Sequence, residues 1–342
     1  MRPFPSLWLV TALCGLVFPM KIQAAEAAFT EDGKTVLACP HLEAKLWSVS
    51  LADGKTTVLD LKNTLEDAED IVCLSRGPGG KFWVATSQKL FLWKPGEDTA
   101  QKVVALEEGG IQDINWNPVS GDLIVQTYSE DDAAAVSLLK SLPKDGKELV
   151  DAADAPDMLS ASFDAEGRMF FSSDSDLWAG LASISDDTLT LSAWRAAPLS
   201  LLLYEDGNPG SSFTLIDVVP TGKSLIMTVS NEVEARLVQI PKPVVGMGPD
   251  GALEKVGPGL AAHWKQAAAA LQSLKIVPIK DALAAIFTLC SSPDESQVFF
   301  TAHSDEDGKQ TFRLLDVKTG KIRVLGEAPA EGEAPAPETK TN

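Results

Sequence analysis

Six short apolar stretches, VLAC (36–39), FWVA (82–85), LIVQT (123–127), MFFSS (169–173), LIMTV (225–229) and VFFTA (298–302), each follow a turn of the same chemistry. The turns read EDGK, GPGGK, PVSGD, DAEGR, PTGK and SPDES. Gly tolerates positive φ and Asp bonds the turn backbone, so each turn predicts a tight hairpin between antiparallel strands. After each stretch comes a Leu–apolar pair, in KLWSV, KLFLW, SLLKS, DLWAG, RLVQI and RLLDV. A more polar segment then closes the unit: DGKTTVLDL, PGEDTAQKVVAL, DGKELVD, DDTLTLSAW, DGALEKV and TGKIRVLG. A supersecondary unit copied in this way can bury its faces only against its own copies.

Within each unit the strands grade from almost wholly apolar to alternating, which suits a radially stacked blade. Inner strands are covered on both faces by neighbouring blades, and outer strands meet water. The spacing of about forty to fifty-five residues fits propeller blades. The expected fold is therefore all-β, a six-bladed β-propeller over residues 26–325. Two stretches break the rhythm, RAAPLSLLLYEDGNPGSS and GPGLAAHWKQAAAALQSLKIVPIKD. In the second, Leu260, Trp264, Ala268, Leu271 and Leu274 recur at helical spacing, which predicts one short helical insertion before the last blade. A degenerate seventh blade in that segment is the alternative. The Asp-Gly-Lys turns followed by Leu-Trp in the first unit, with their counterparts in the last, resemble the broad WD-repeat-like and TolB-like β-propeller superfamily. The likeness is at the level of the fold, because neither a Trp-Asp dipeptide nor a Gly-His pair occurs.

The start of the chain, MRPFPSLWLVTALCGLVFPMKIQAA, sets one cation before a short apolar core and small residues after it. This is the layout of a signal peptide over residues 1–25. The core is shorter than the roughly 20 apolar residues that a bilayer crossing takes. An exported protein, periplasmic or extracellular and without a transmembrane segment, is expected. Leu13 is bulky where a lipidation site at Cys14 would want a small residue. At the other end, residues 326–342 are Pro, Ala and Glu without apolar periodicity, which predicts a disordered tail. The net charge of −19 argues against nucleic acid, whose phosphates demand Lys- and Arg-rich surface. Cys39, Cys73 and Cys290 remain beyond the leader; each sits in a strand-like apolar run, where Cys behaves as a small buried hydrophobe.

In such a ring the first-to-second and third-to-fourth strand turns share one face, and all other loops gather on the opposite face. Acids crowd those other loops. Glu66, Asp67, Glu69, Asp70, Asp131 and Asp132, with Tyr204 and Trp264 from the two insertions, are the candidate binding surface, since loops on a rigid scaffold often carry recognition. A protein is the expected partner, and a small-molecule ligand remains open. No cofactor is expected. Calcium has oxygen donors in SDSD (173–176) and SEDDA (129–133), but neither has the loop spacing of a specific calcium motif. Nucleophile elbows, phosphate-binding loops and zinc-protease helices are absent from the sequence. His41 and His303 occupy comparable loops of the first and last units, without a third ligand identified. The preferred reading is a non-enzymatic interaction or ligand-binding scaffold. The alternative is a metal-assisted hydrolase or lactonase at the channel mouth, with Asp70, Asp113 and Asn115 near the starts of inner strands.

Overall fold

A computed structural model describes residues 26–40, 43–65, 70–129, 136–144, 146–153, 158, 160–173, 176–185, 188–197, 214–230, 235–242, 275–279, 283–304 and 309–329. The first blade is β1 (Ala27–Phe29), β2 (Thr35–Ala38), β3 (Lys45–Ser50) and β4 (Thr56–Asp60). The second is β5 (Ile71–Arg76), β6 (Phe82–Thr86), β7 (Lys89–Trp93) and β8 (Gln101–Ala105). The third is β9 (Gly110–Trp116), β10 (Leu123–Ser129), β11 (Val136–Leu142) and β12 (Val150–Ala153). The fourth is β13 (Ser160–Phe163), β14 (Met169–Ser173), β15 (Asp176–Ser185) and β16 (Thr188–Ala197). The fifth is β17 (Thr214–Thr221), β18 (Ser224–Ser230), β19 (Ala235–Pro241) and β20 (Lys275–Ile276). The sixth is β21 (Leu283–Ser291), β22 (Gln297–Ser304), β23 (Gln310–Asp316) and β24 (Lys321–Glu327). Strands within every blade pair in sequential order and antiparallel. All six apolar stretches picked out from the sequence are the second strands of their blades.

The innermost strands close a ring. Contacts run from β1 to β5, β5 to β9, β9 to β13, β13 to β17, β17 to β21 and β21 back to β1. Between the blades lie the six apolar clusters of the core. Leu37, Cys39 and Leu46 meet Leu74, Phe82 and Val84 between the first and second blades. Phe170, Leu177 and Ala179 meet Leu215, Leu225 and Met227 between the fourth and fifth. The other four seams are built alike. This explains the pattern of the strands: β6 is buried along its whole length, whereas β24 on the rim is largely exposed. Each buried Phe or Leu contributes about 1.5–3 kcal/mol, and no blade could collect that alone.

The seam between the last and first blades is closed by side chains without an exchanged strand. Phe299, Phe312 and Leu314 pack on Phe29, Val36, Trp47 and Val49, with the Trp47 and Phe312 rings edge-on at 5.6 Å. Arg323 Nη2 donates to the Leu51 carbonyl at 2.6 Å. Gly54, at φ +73°, comes so close that a Cβ there would stand 1.9 Å from the Leu325 oxygen. On the far side of the ring, β12 and β16 pair in parallel through Ala152↔Leu189 and Ala153↔Thr190. That pairing joins the third and fourth blades into one eight-stranded sheet.

Two details differ from the sequence expectation. The fourth strand of the fifth blade is Lys275–Ile276, after the insertion, and not DGALEKV before it. Segment 243–274 consequently connects a third strand to a fourth, so its flanks, Lys242 and Lys275, stand at the turn face and not among the acidic loops. The expected helix at 260–274, the leader and the tail beyond 329 lie outside the described residues. No helix among the described residues is long and apolar enough to cross a membrane.

Candidate functional site

Four inner strands are irregular at their middles. Register shifts fall between Ile71 and Cys73, opposite Gln126 and Thr127 where β9 takes up Gln112, between Leu215 and Asp217, and between Phe287 and Leu289. The last holds Thr288 at φ 54°. A bulge re-aims the side chain beside it, and here Asp113 and Asp217 follow directly after the extra residue. Together with Glu26, just before β1, they form a set of three carboxyl groups deep in the ring, one from every other blade. All three residues keep partial exposure.

Glu26 and Asp217 reach into neighbouring blades, and Asp113 joins them through its hydrogen bond with Glu26 of the first blade. Glu26 Oε2 accepts the Leu74 N–H of β5 at 2.6 Å, and the Glu26 carboxyl is hydrogen-bonded to Asp113 of the third blade. Asp113 also accepts the Ile114 N–H at 2.7 Å and the Asn115 amide at 2.8 Å. Asp217 takes the Ser160 hydroxyl from the fourth blade, the Val218 N–H at 2.7 Å and the Leu289 N–H of the sixth blade at 2.8 Å. Two groups of three blades result, first to third through Glu26 and Asp113, fourth to sixth through Asp217. Inner strands of neighbouring blades share no ladder, so these side chains supply the ties that backbone pairing does not.

Burial drives the electrostatics. Glu26 is held well above the usual carboxylate range, first by desolvation and then by the Asp113 charge and hydrogen bond, with a further push from Asp217. Asp113 and Asp217 are raised too, each chiefly by desolvation. The hydrogen bond between the two carboxyl groups raises Glu26 and lowers Asp113, against the desolvation that raises both. None of the three is ion-paired to a cation among the described residues.

Nearer the turn face a second polar group spans three blades. Asp164, 1% exposed at its side chain, takes Arg168 Nε at 2.7 Å and Lys242 Nζ at 3.4 Å. Lys242 also faces Glu295 at 3.7 Å, and Glu295 accepts the Ala165 N–H at 3.1 Å. Arg76, at the end of β5, is within electrostatic reach of Cys290 and Glu295, and desolvation lowers its pKa.

Of the expected surface residues, Asp70 is exposed one position before β5. Glu66, Asp67, Glu69, Asp131, Asp132, Tyr204 and Trp264 lie outside the described residues, and so do SEDDA beyond Ser129 and the middle of SDSD. Asp113 and Asn115 do reach the central set, whereas Asp70 does not. Sequence reasoning missed Glu26, Ser160 and Asp217. A signal existed in part: IDVV (216–219) sets an Asp among apolar residues of a first strand, and QDIN (112–115) sets one beside Ile114. His41 is not described, and His303 is half-buried in β22. Cys39, Cys73 and Cys290 are free thiols, the first two buried. Trp47, Trp83 and Trp93 are buried in blade seams.

No protein-family description and no curated protein matches this sequence. Solved structures do. Regucalcin from Agrobacterium tumefaciens C58, a calcium-binding protein, aligns at TM-score 0.56 and 16% identity over 89% of this chain and 92% of its own. A putative gluconolactonase aligns at TM-score 0.51 and 9% identity, over 89% and 90%. A chain of a nidogen/laminin complex aligns at 0.50 and 10% identity, over 84% and 91%. The chain is a six-bladed β-propeller. At these identities the likeness concerns the fold alone, and the propeller's activity must be argued from its own residues.

Proposed function

We propose that this propeller is an exported, non-enzymatic scaffold that binds a protein through its acidic loop face. The observation that carries the reading is that the deep carboxyl groups, those best placed for chemistry, are engaged in holding blades together. Glu26 and Asp217 accept N–H groups from neighbouring blades, and Asp113 is hydrogen-bonded to Glu26 of the first blade. Charge distribution supports the same reading. The turn face mixes Lys34, Lys55 and Lys144 with Asp32, Asp53 and Asp122, whereas Asp70, Glu107 and Glu108 are exposed on the opposite one. A rigid ring with one acidic face suits a partner with a basic surface, recruited by electrostatic steering. The test is affinity capture from the native envelope with the leaderless protein. Reversing Glu66, Asp67, Glu69 and Asp70 to Lys should abolish capture of the specific partner; identical captured proteins before and after reversal would remove the reading.

A hydrolase or lactonase is the second reading, favoured by the arrival of Asp113 and Asn115 beside Glu26 and Asp217 near the ring axis. The donor set does not fit a metal as arranged. Among the described residues no three His, Cys, Asp or Glu side chains are placed to hold one, and the Glu26 and Asp113 carboxyl groups are hydrogen-bonded to each other. Stoichiometric metal in the purified protein, with lactone hydrolysis abolished by a chelator, would establish this reading over the scaffold.

A further inference from the structure

We propose that Arg76 anchors a binding site for a single carboxylate at the turn-face end of the channel, separate from the acidic loops and independent of the partner proposed for them. The repeat sets the position. Opposite the first residue of the six apolar stretches, the inner strands place Phe29, Arg76, Trp116, Phe163, Pro220 and Ser291. Five blades put an uncharged side chain there; the second puts a guanidinium. Cross-strand partners share a face of the sheet, and Phe82, the partner of Arg76, packs in the seam with the first blade. Arg76 therefore faces that blade. Because β1 is only three residues long, the guanidinium comes within electrostatic reach of Cys290 and Glu295 of the sixth blade beyond it.

Arg76 is half-buried, and among the described residues it makes no ion pair and no hydrogen bond. The acids around it are engaged elsewhere. Glu295 accepts the Ala165 N–H on Oε1 and faces Lys242 with Oε2. Asp164 holds Arg168 and Lys242 on one oxygen and the Glu166 and Arg168 N–H groups on the other. Glu31, exposed in the turn of the first blade, lies by Gly80. Cys290 is no counter-ion either, because burial pushes its thiol far above the ordinary range despite the pull of Arg76.

A guanidinium drawn out of water without a counter-ion is costly, and its planar fork of N–H donors matches the two oxygens of a carboxylate. Desolvation already weighs on this group, lowering its pKa. The same surroundings select a monoanion. Glu295 and Glu31 set negative charge nearby, and Glu26, Asp113 and Asp217 lie deeper in the channel, so a phosphate dianion meets about twice the repulsion of a carboxylate. A free organic acid and the C-terminus of a peptide both carry the required group.

The test is an NMR titration of the purified protein at constant ionic strength, with sodium acetate replacing sodium chloride, read at the Arg76 Nε–H and at the Gly77 and Lys81 amides. Saturable shifts are expected. Triglycine and its C-terminal amide then separate the two sources: a response to triglycine but not to the amide admits peptide C-termini, and a response to acetate alone restricts the site to small free acids. Arg76→Gln should weaken acetate binding about tenfold or more, through loss of the charge-assisted pair. Arg76→Lys keeps the charge without the fork and should fall between. Lys94→Gln makes the same charge change at an exposed turn and should leave the affinity as it is. Equal acetate affinity in the native protein and Arg76→Gln, no saturable shift at all, or saturation by phosphate at a lower concentration than by acetate would each overturn the assignment.

Discussion

Glu26 shows how one side chain can set both stability and its pH dependence. Replacing it by Ala leaves the Leu74 N–H without its acceptor, a loss of about 1–3 kcal/mol that urea denaturation would measure. Glu26→Gln retains an acceptor for that N–H and should cost less. The sign of the pH effect follows from burial holding the folded Glu26 carboxyl well above the ordinary glutamate range. The folded chain binds this proton more tightly than the unfolded one, so the contribution is fully present below about pH 4.5 and is lost as pH rises through the folded value. Asp113 and Asp217, also raised, act in the same sense. Asp32, Asp53, Asp294 and Asp316 act oppositely: hydrogen bonds from Thr30, Ser50, Ser292 and Thr319 lower them, and their contribution is lost as pH falls below the range of an ordinary aspartate. Unfolding midpoints should thus decline from mildly acid to neutral pH in the native protein. Glu26→Gln should flatten that decline, and an unchanged slope would remove Glu26 from the account.

At the scale of elements, the seam between the last and first blades is tested by two glycines. Gly54 and Gly96 both have positive φ, +73° and +91°, but a Cβ at Gly54 meets the Leu325 oxygen at 1.9 Å, whereas nothing lies within 4 Å of one at Gly96. Gly96→Ala should cost only the left-handed backbone penalty, about 1–2 kcal/mol. Gly54→Ala carries that penalty and a backbone clash, so its loss should exceed that of Gly96→Ala by about 1 kcal/mol or more, read by denaturant midpoints. Truncating Phe312, buried in the same seam, should cost about 3–5 kcal/mol. The sequence made some elements legible and hid others for a physical reason. Second strands such as VFFTA are covered on both faces, so their apolar character is continuous and survives inspection. First strands are broken by bulges and carry Asp113 and Asp217 among apolar neighbours, which erases the period that marks a strand. β20 spans two residues, too few for any pattern, so the sequence points to DGALEKV instead. Of the central set, Asp113 and Asn115 were visible by their place at a strand, while Glu26 and Asp217 became visible only once the ring brought separate blades together.

For the whole molecule, the proposed acidic loop face has a kinetic consequence. If the acidic loops receive a basic partner, the association rate should fall steeply as ionic strength rises while dissociation changes little; surface-immobilised binding at several salt concentrations would read both. The ring itself is less symmetric than six copies suggest. The parallel pairing of β12 with β16 lies across the ring from the side-chain seam that holds Arg323 against Leu51, and the carboxyl ties divide along the same line, blades one to three and blades four to six. The molecule is in effect a clamshell, with a hydrogen-bonded hinge on one side and a latch on the other. Repulsion between the Glu26–Asp113 pair and Asp217 presses the two shells apart as they deprotonate, so any breathing of the ring should begin at the latch, where β1 faces β21.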